Sequence, residues 1–381
     1  MNLKLNKIFN QTIYYLSSLK LTVTCLISYF IIVFVGTLSQ VDLGIYYTQK
    51  LYFQSFFIWT SFFGINIPIF PGGGLIGFLL LINLVVATIV KLQWKMKNIG
   101  LLFTHFGLIF LLLGAGLSSC ITTESVMSIK EGSTAYFSED RRHLELAIID
   151  SSNPNFDHIV SIPDSLFKSK NLISHPDLPF DIKINSFYPN SQLFFIENGI
   201  NPMISNGIGK ELSIKPLDVF VRDDKRDNTT LILEFFTKDT SLGTWLASLD
   251  LNGIQEIDIL SKKYNFILRP KRYYNNYSIT LNDFIHDVYP GTNIPKDFAS
   301  QITLNDFQNF EKRDVRIYMN HPLRYKGKTF FQMSFAENDT ISIFQVVDNP
   351  LWQIPYYSCL LISLGLLIHF CIHLARFSKR I

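Results

Sequence analysis

Apolar residues gather into four long blocks along the chain, and between the third and fourth blocks the pattern changes to a two-residue beat. The blocks are 19–38 (LKLTVTCLISYFIIVFVGTL), 75–92 (LIGFLLLINLVVATIVKL), 100–120 (GLLFTHFGLIFLLLGAGLSSC) and 355–375 (PYYSCLLISLGLLIHFCIHLA). Each approaches the roughly 20 residues needed to cross a bilayer core, so the pattern predicts four transmembrane helices. The first block is longer than a signal-peptide core and no A-x-A site follows it, which predicts an uncleaved anchor. From 121 to 350 short runs alternate apolar and polar residues, as in "HLELAIID" (143–150), "FDIKINSF" (180–187), "TTLILEFF" (229–236), "TWLASLDL" (244–251) and "TISIFQVV" (340–347). Polar turn clusters such as "SSNPN" and "YKGK" separate them. Short alternating strands at this spacing predict an antiparallel, sandwich-like all-β domain. "LNDFIHDVY" (281–289) departs from the beat, and its spacing predicts one amphipathic helical turn.

The predicted fold class is therefore membrane α-helical with a large extracytoplasmic all-β domain. The predicted boundaries are 1–120 for an N-terminal membrane region, with an aromatic outer loop at 39–73; 121–350 for the β domain; and 351–381 for the fourth helix and a cytoplasmic tail. Charge sets the orientation. Lys4, Lys7 and Lys20 precede or open the first helix, Lys91, Lys95 and Lys97 fill the link between the second and third, and Arg376, Lys379 and Arg380 follow the fourth. Basic short loops stay in the cytoplasm, so both termini and the 91–99 link are predicted inside, with 39–73 and 121–350 outside. The composition agrees: 48% of the 381 residues are hydrophobic and the mean hydropathy is +0.21. The net charge of +3 is small and follows from the orientation rule, so it gives no reason to expect nucleic acid.

The 39–73 loop is crowded with Tyr46, Tyr47, Tyr52, Phe53, Phe56, Phe57, Trp59, Phe62 and Phe63. It reads as an interfacial helix holding rings at headgroup depth, with a ligand contact as the other reading. "FPGGG" (70–74) reads as a flexible entry into the second helix and lacks the Lys-Ser/Thr ending of a phosphate loop. Of the four cysteines, Cys25 and Cys371 fall inside helices. Cys120 and Cys359 fall near outer helix ends, where a disulfide and two free thiols are both open readings. With no CxxC, neither a thioredoxin-like site nor a c-type haem attachment site is encoded.

The chemistry lies with histidines in apolar surroundings. His105 is five residues into the third helix, roughly 7–8 Å inside, and His369 is seven residues before Arg376, roughly 10 Å from the same face. His373 is one turn nearer the end and reads as snorkelling to the headgroups. An ionisable group at such depth marks function, or it hydrogen-bonds a neighbouring helix as a packing element. A neutral imidazole suits iron, and haem is an apolar plate suited to a helix crevice. Proton relay is the rival, but it draws on Asp or Glu, and the four blocks hold none at depth. Gly107 and Gly114, seven apart, allow a close helix approach beside His105, with plain packing as their reading.

At this point the chain resembles a known family: ResB, also called CcsB, of the System II cytochrome c biogenesis machinery. The resemblance runs over nearly the whole chain. It begins with "LSSLKLTVTCLISYFIIVFVGTLSQ" and is strongest in "LRPKRYYNNYSITLNDFIHDVYPGTNIPKDFASQITL", "RDVRIYMNHPLRYKGKTFFQMSF" and "VVDNPLWQIPYYSCLLISLGLLIHF". It implies a haem-handling subunit rather than an enzyme, working with a ResC/CcsA-type tryptophan-rich membrane protein. Together they would move haem across the membrane and present it to apocytochrome c, with a thioredoxin-like thiol reductant as a further pathway partner. The Asn-, Lys- and Ile-rich composition favours a bacterial cytoplasmic (inner) membrane, with a thylakoid membrane as the other reading. The resemblance also implies non-covalent haem b shared with the partner. His105 matches the family's axial ligand in the third helix, His369 is a second candidate without a transferable role, and Cys120 is the nearest match to a cysteine implicated in haem contact. Trp59, Trp94, Trp245 and Trp352 are scattered, with no tryptophan-rich cluster, so the chain reads as one half of the machine.

Within the outer domain, "MNHPLRYKGK" predicts a hairpin with Gly327 in a tight turn and Phe330, Phe331 and Phe335 in the sheet core. His321 reads as a turn residue or an outer haem or partner contact, and His286 likewise. His143, His158 and His175 give no metal spacing. The alternatives are a membrane-anchored sensor, disfavoured by the short cytoplasmic parts, an assembly scaffold that binds no haem, and an enzyme, for which no nucleophile–base arrangement appears.

Overall fold

The structure, a computed structural model, describes residues 2–378 apart from 169–171, 198, 221–225, 238–239, 252, 260–261, 293–294 and 337–339. Lys379 and Arg380 of the charge argument, and Asn293 and Ile294 of the YPGT-x-IPK run, lie outside the described residues. The rest forms two compact units, one on 2–122 and 349–378 and the other on 123–220 and 226–348.

The first unit is helical: α1 (Asn2–Leu16), α2 (Leu19–Thr48), α3 (Gly73–Val90), α4 (Ile99–Ile121) and α5 (Ile354–Ser378). Four of these, α2 to α5, are long and apolar enough to cross a membrane. The first span differs from expectation. Instead of ending at 38, α2 continues to Gly44, whose φ of 74° breaks the helix, and the chain then makes further helical turns to Phe53. A positive φ of this kind is open to glycine at little steric cost. The remainder of the aromatic loop is a β-hairpin, β1 (Phe57–Phe62) and β2 (Ile65–Pro71), rather than an interfacial helix. Phe63 and Gly64 both take positive φ at its tip, the geometry of a type I′ turn. Nor is "FPGGG" a flexible entry. A methyl group on Gly73 would lie 2.6 Å from the Phe53 carbonyl oxygen, and Gly74 N donates to Ser55 O at 3.1 Å.

Several polar groups inside this unit are paired, whereas the buried hydroxyls of Thr48 and Ser358 have no hydrogen-bond partner among the described residues. Ser18 caps α2 by accepting from the amides of Lys20 and Leu21. Asn83 of α3 is buried and staples the α1–α2 elbow. Its Nδ2 donates to Leu16 O at 2.6 Å and Ser18 O at 3.1 Å, while its Oδ1 accepts from Thr22 at 2.6 Å.

The second unit is antiparallel β throughout its described strand pairs. Its strands are β3 (Thr123–Lys130), β4 (Thr134–Asp150), β5 (His158–Pro163), β6 (Asp181–Tyr188), β7 (Ser191–Phe195), β8 (Leu212–Pro216), β9 (Thr230–Thr237), β10 (Thr240–Ser248), β11 (Gln255–Ile259), β12 (Lys262–Val288), β13 (Pro295–Asp306), β14 (Glu311–Tyr318), β15 (Leu323–Tyr325), β16 (Lys328–Ala336) and β17 (Ile341–Asp348). A ten-stranded sheet runs β14-β13-β12-β4-β3-β17-β16-β15, with β11 added to β12 and β5 to β4. Its ends meet again where Tyr318 bridges His321, enclosing Met127, Ile279, Leu281, Ile302, Leu304, Ile317, Phe330 and Phe344. The first halves of β12 and the end of β4 instead face the three-stranded sheet β10-β9-β6 across a second core of Leu146, Ile148, Ile182, Leu231, Phe235 and Phe266. β12 serves both cores because its register to β4 slips at Pro270/Arg272 and again at Tyr274/Ile279; bulges bend and twist a strand in this way.

The helical turn expected at "LNDFIHDVY" is strand. Leu281 and Phe284 are both buried because a bulge between Leu281 and Asp283 shifts the two-residue beat by one. The resulting spacing of three imitates a helix. The hairpin forms as expected, with Lys326 and Gly327 at φ 44° and 81°. Phe330 is buried and Phe335 packs against the core, but Phe331 is exposed. Adjacent strand residues point to opposite faces, so Phe330 and Phe331 could not share the core.

Two polar clusters fasten β12 and the hairpin. Arg269 Nε donates to Glu145 Oε1 at 2.8 Å in the buried interior, Ser161 donates to Glu145 Oε2 at 2.6 Å, and Arg269 reaches the Tyr274 hydroxyl at 3.1 Å. Beside them Tyr273 donates to Asp140, and burial first, then that bond, pushes its phenol up to about 12. Asp306 is fully buried and takes hydrogen bonds from Lys326, Tyr325 (2.6 Å) and Asn309. Lys326 foremost, then Tyr325, hold its carboxyl well below the ordinary carboxylate range.

Glu145→Ala leaves Arg269 charged and unpaired in the interior, which costs about 3–5 kcal/mol and should be read as a lowered denaturant midpoint for the β unit in the full chain. The depressed carboxyl of Asp306 contributes stability that is present above its unfolded pKa of about 4 and is lost as pH falls toward its folded value. Thermal melts of the full chain from pH 7 to pH 3 should fall less steeply for Asp306→Asn than for the native chain.

Candidate functional site

The α4 helix presents two faces to two neighbours. Gly100, Gly107 and Gly114 recur every seven residues and face α5. A methyl group at Gly107 would lie 2.6 Å from Ile362 Cγ1 and 3.0 Å from Ser358 O, and one at Gly114 would lie 2.3 Å from Ile354 Cγ2. From the other side, a methyl group at Gly365 would lie 2.6 Å from the Thr104 nitrogen. Small residues let the two backbones close up, as helix pairs in an apolar medium require. Gly107 and Gly114 therefore pack, as expected.

His105 follows Thr104 by one residue, and one step turns a helix by about 100°. Its ring accordingly leaves the α5 seam and meets α3. Nδ1 lies 2.8 Å from Oγ1 of Thr88, which is buried on α3 and also donates to Leu84 O at 2.7 Å. His105 is half-buried, and among the described residues no hydrogen bond reaches its Nε2. Thr88 was not singled out from the sequence; the available signal was a lone hydroxyl three residues before Lys91 in an otherwise apolar stretch.

His369 is elsewhere. A methyl group on Gly100 would lie 2.5 Å from the His369 nitrogen, so His369 is level with the start of α4, about one and a half turns below His105. Counting from the helix ends had put the two at similar depth; the difference arises because α5 runs on past the start of α4. The His369 ring pairs with His373 at 4.4 Å between centroids. The structure does not bring His105 and His369 together. All four cysteines are free, Cys25 buried and Cys120, Cys359 and Cys371 exposed, so no Cys120–Cys359 disulfide is present.

The outer histidines have structural neighbours. His321 stacks on Tyr318 at 4.1 Å, and His286 packs against Phe335 at 4.4 Å. His143 contacts Asp164 at 3.2 Å, and His158 and His175 each approach Asp177 at 3.8 Å. Among the described residues no group of three or more His, Cys, Asp or Glu is arranged to hold a metal ion.

An imidazole with one nitrogen tied and the other open, in an apolar helix pair, has the donor chemistry of an axial haem ligand. The residues present therefore fit that group on one of its two faces.

Comparison with known proteins adds two findings. Residues 253–343 match the model of the ResB-like family. The chain is also 25% identical over 267 residues to Protein NrfI of Wolinella succinogenes, a match covering 69% of this chain and 26% of that protein. The chain thus spans about a quarter of the length of the curated relative it matches. The two matches support the ResB/CcsB family.

Gly107→Leu forces a branched side chain into the α4–α5 seam. Overpacking of this kind costs about 1–3 kcal/mol, and the full chain in mixed micelles should unfold at a lower SDS fraction.

Proposed function

We propose that this ResB-like chain is a haem-handling subunit of cytochrome c biogenesis, and that His105 is its intramembrane ligand. The reading rests on one observation above the others: His105 is fixed through Nδ1 while Nε2 is left to bind something else. When bound, haem would supply an iron centre for His105 to hold through Nε2. The chain's own part is to aim one neutral imidazole, to keep water away with the apolar faces of α3 and α4, and to hold the ring at a fixed height. A second ligand would come from a tryptophan-rich ResC/CcsA-type partner, and the β unit would hold partner and apocytochrome c in register. No nucleophile or base is needed for this role, so lyase activity would belong to the complex.

In the same reading the chain is multi-pass in a bacterial cytoplasmic membrane. Lys91, Lys95 and Lys97 keep the α3–α4 link in the cytoplasm and put the β unit outside. The family matches and the four apolar helices support it.

The test is to co-express the chain with such a partner, purify the complex and quantify haem. His105→Ala should remove most of the haem or change its low-spin spectrum, and added imidazole should restore the native absorption in part. Native haem content with an unchanged spectrum would exclude the assignment and leave a scaffold without haem.

A further inference from the structure

We propose that Thr88 is a positioning residue that fixes the tautomer of His105, leaving Nε2 as the only ring nitrogen able to coordinate a metal. The proposal rests on the haem-ligand reading for its purpose, but its physical content stands apart from haem. A threonine hydroxyl has one proton to donate and lone pairs to accept with. The Thr88 proton goes to the Leu84 carbonyl, 2.7 Å away and one turn back on α3. The contact to His105 Nδ1 at 2.8 Å then needs its proton from the imidazole. Nδ1 therefore carries hydrogen, and the lone pair of the neutral ring is on Nε2. The reverse arrangement, with Thr88 donating to a bare Nδ1, would give up the Leu84 bond. It would also put the ring's N–H on Nε2, where no acceptor is present among the described residues. Unpaired donors are costly in an apolar medium, so the first arrangement wins.

Metal-ligating histidines generally donate their second ring N–H to a carboxylate, carbonyl or water, which orients the ring and raises its basicity. Here a hydroxyl takes that place, itself oriented by its own helix. Because a hydroxyl is uncharged, His105 is oriented without a buried carboxylate, which an apolar helix pair could hold only at high cost.

Histidine ring-labelled full chain in nanodiscs, without partner or haem, gives a direct readout: nitrogen chemical shifts distinguish an Nδ1–H ring from an Nε2–H ring. The His105 signal is the one lost in His105→Ala. The native chain should show His105 as Nδ1–H, Thr88→Ser should retain it, and Thr88→Val should move the population toward Nε2–H. In the purified complex Thr88→Val should weaken haem retention about tenfold and shift the midpoint potential upward as ligand basicity falls, with Thr88→Ser close to native. A native His105 in the Nε2–H form, or a Thr88→Val chain with an unaltered His105 signal, overturns the proposal. These outcomes are separable from the haem reading. Nδ1–H in the native chain, together with full haem in His105→Ala, would sink the ligand assignment and leave the tautomer control standing. Loss of haem in His105→Ala with no effect of Thr88→Val in either readout would do the reverse. Thr88→Ser guards against misfolding, since it keeps the hydroxyl and shortens the side chain by a single methyl.

Discussion

Inside an apolar helix bundle a polar group has few places to turn, and the contact between Thr88 and His105 follows from that constraint. The Gly100, Gly107 and Gly114 stripe draws α4 against α5 so closely that no side chain as large as imidazole fits on that face. One residue further round, His105 must meet α3 or open surroundings. The α3 helix offers a hydroxyl at the right height, itself tied down by Leu84. The same constraint explains Asn83, which spends both ends of its amide on the α1–α2 elbow. Asn83 and Thr88 each have backbone and side-chain partners, the buried Ser358 hydroxyl has none among the described residues, and His105 has one ring nitrogen tied and the other open.

Much of the fold was legible from periodicity. The four apolar blocks and the alternating runs of the β unit signal their class through side-chain direction alone, because period 3.6 and period 2 leave different residues facing the core. The errors came where local geometry breaks the period. The bulge at Leu281/Asp283 turned a strand into an apparent helical turn. Phe330 and Phe331 are chemically alike, and only strand alternation decides which enters the core. The first apolar block stops at 38, yet α2 runs on through Ser39, Gln40 and Asp42 to its break at Gly44.

The site was only half legible. His105 stands out as an imidazole among leucines and phenylalanines, but its partner is a threonine seventeen positions earlier on another helix. No spacing rule links the two. His369 shows the opposite failure: it looked equivalent to His105 when depth was counted along each helix separately, and only the α4–α5 packing reveals that the helices are offset.

The family match and the candidate site occupy different parts of the chain, and this separation bears on what each can say. Residues 253–343 hold β11 to β16, and the side chains that give this stretch its distinctive sequence have work inside the fold. Arg269 balances Glu145, Tyr273 donates to Asp140, and Lys326 neutralises Asp306, to which Tyr325 also donates, at a turn whose φ angles call for glycine at one position. Pro270 sits at the register slip that lets β12 serve two cores. His105 and Thr88 lie outside the matched stretch, in helices whose sequence is dominated by generic apolar residues. The family match therefore speaks for this stretch of the β unit. The functional claim depends on the helix pair, where one hydroxyl and one imidazole set which nitrogen is available.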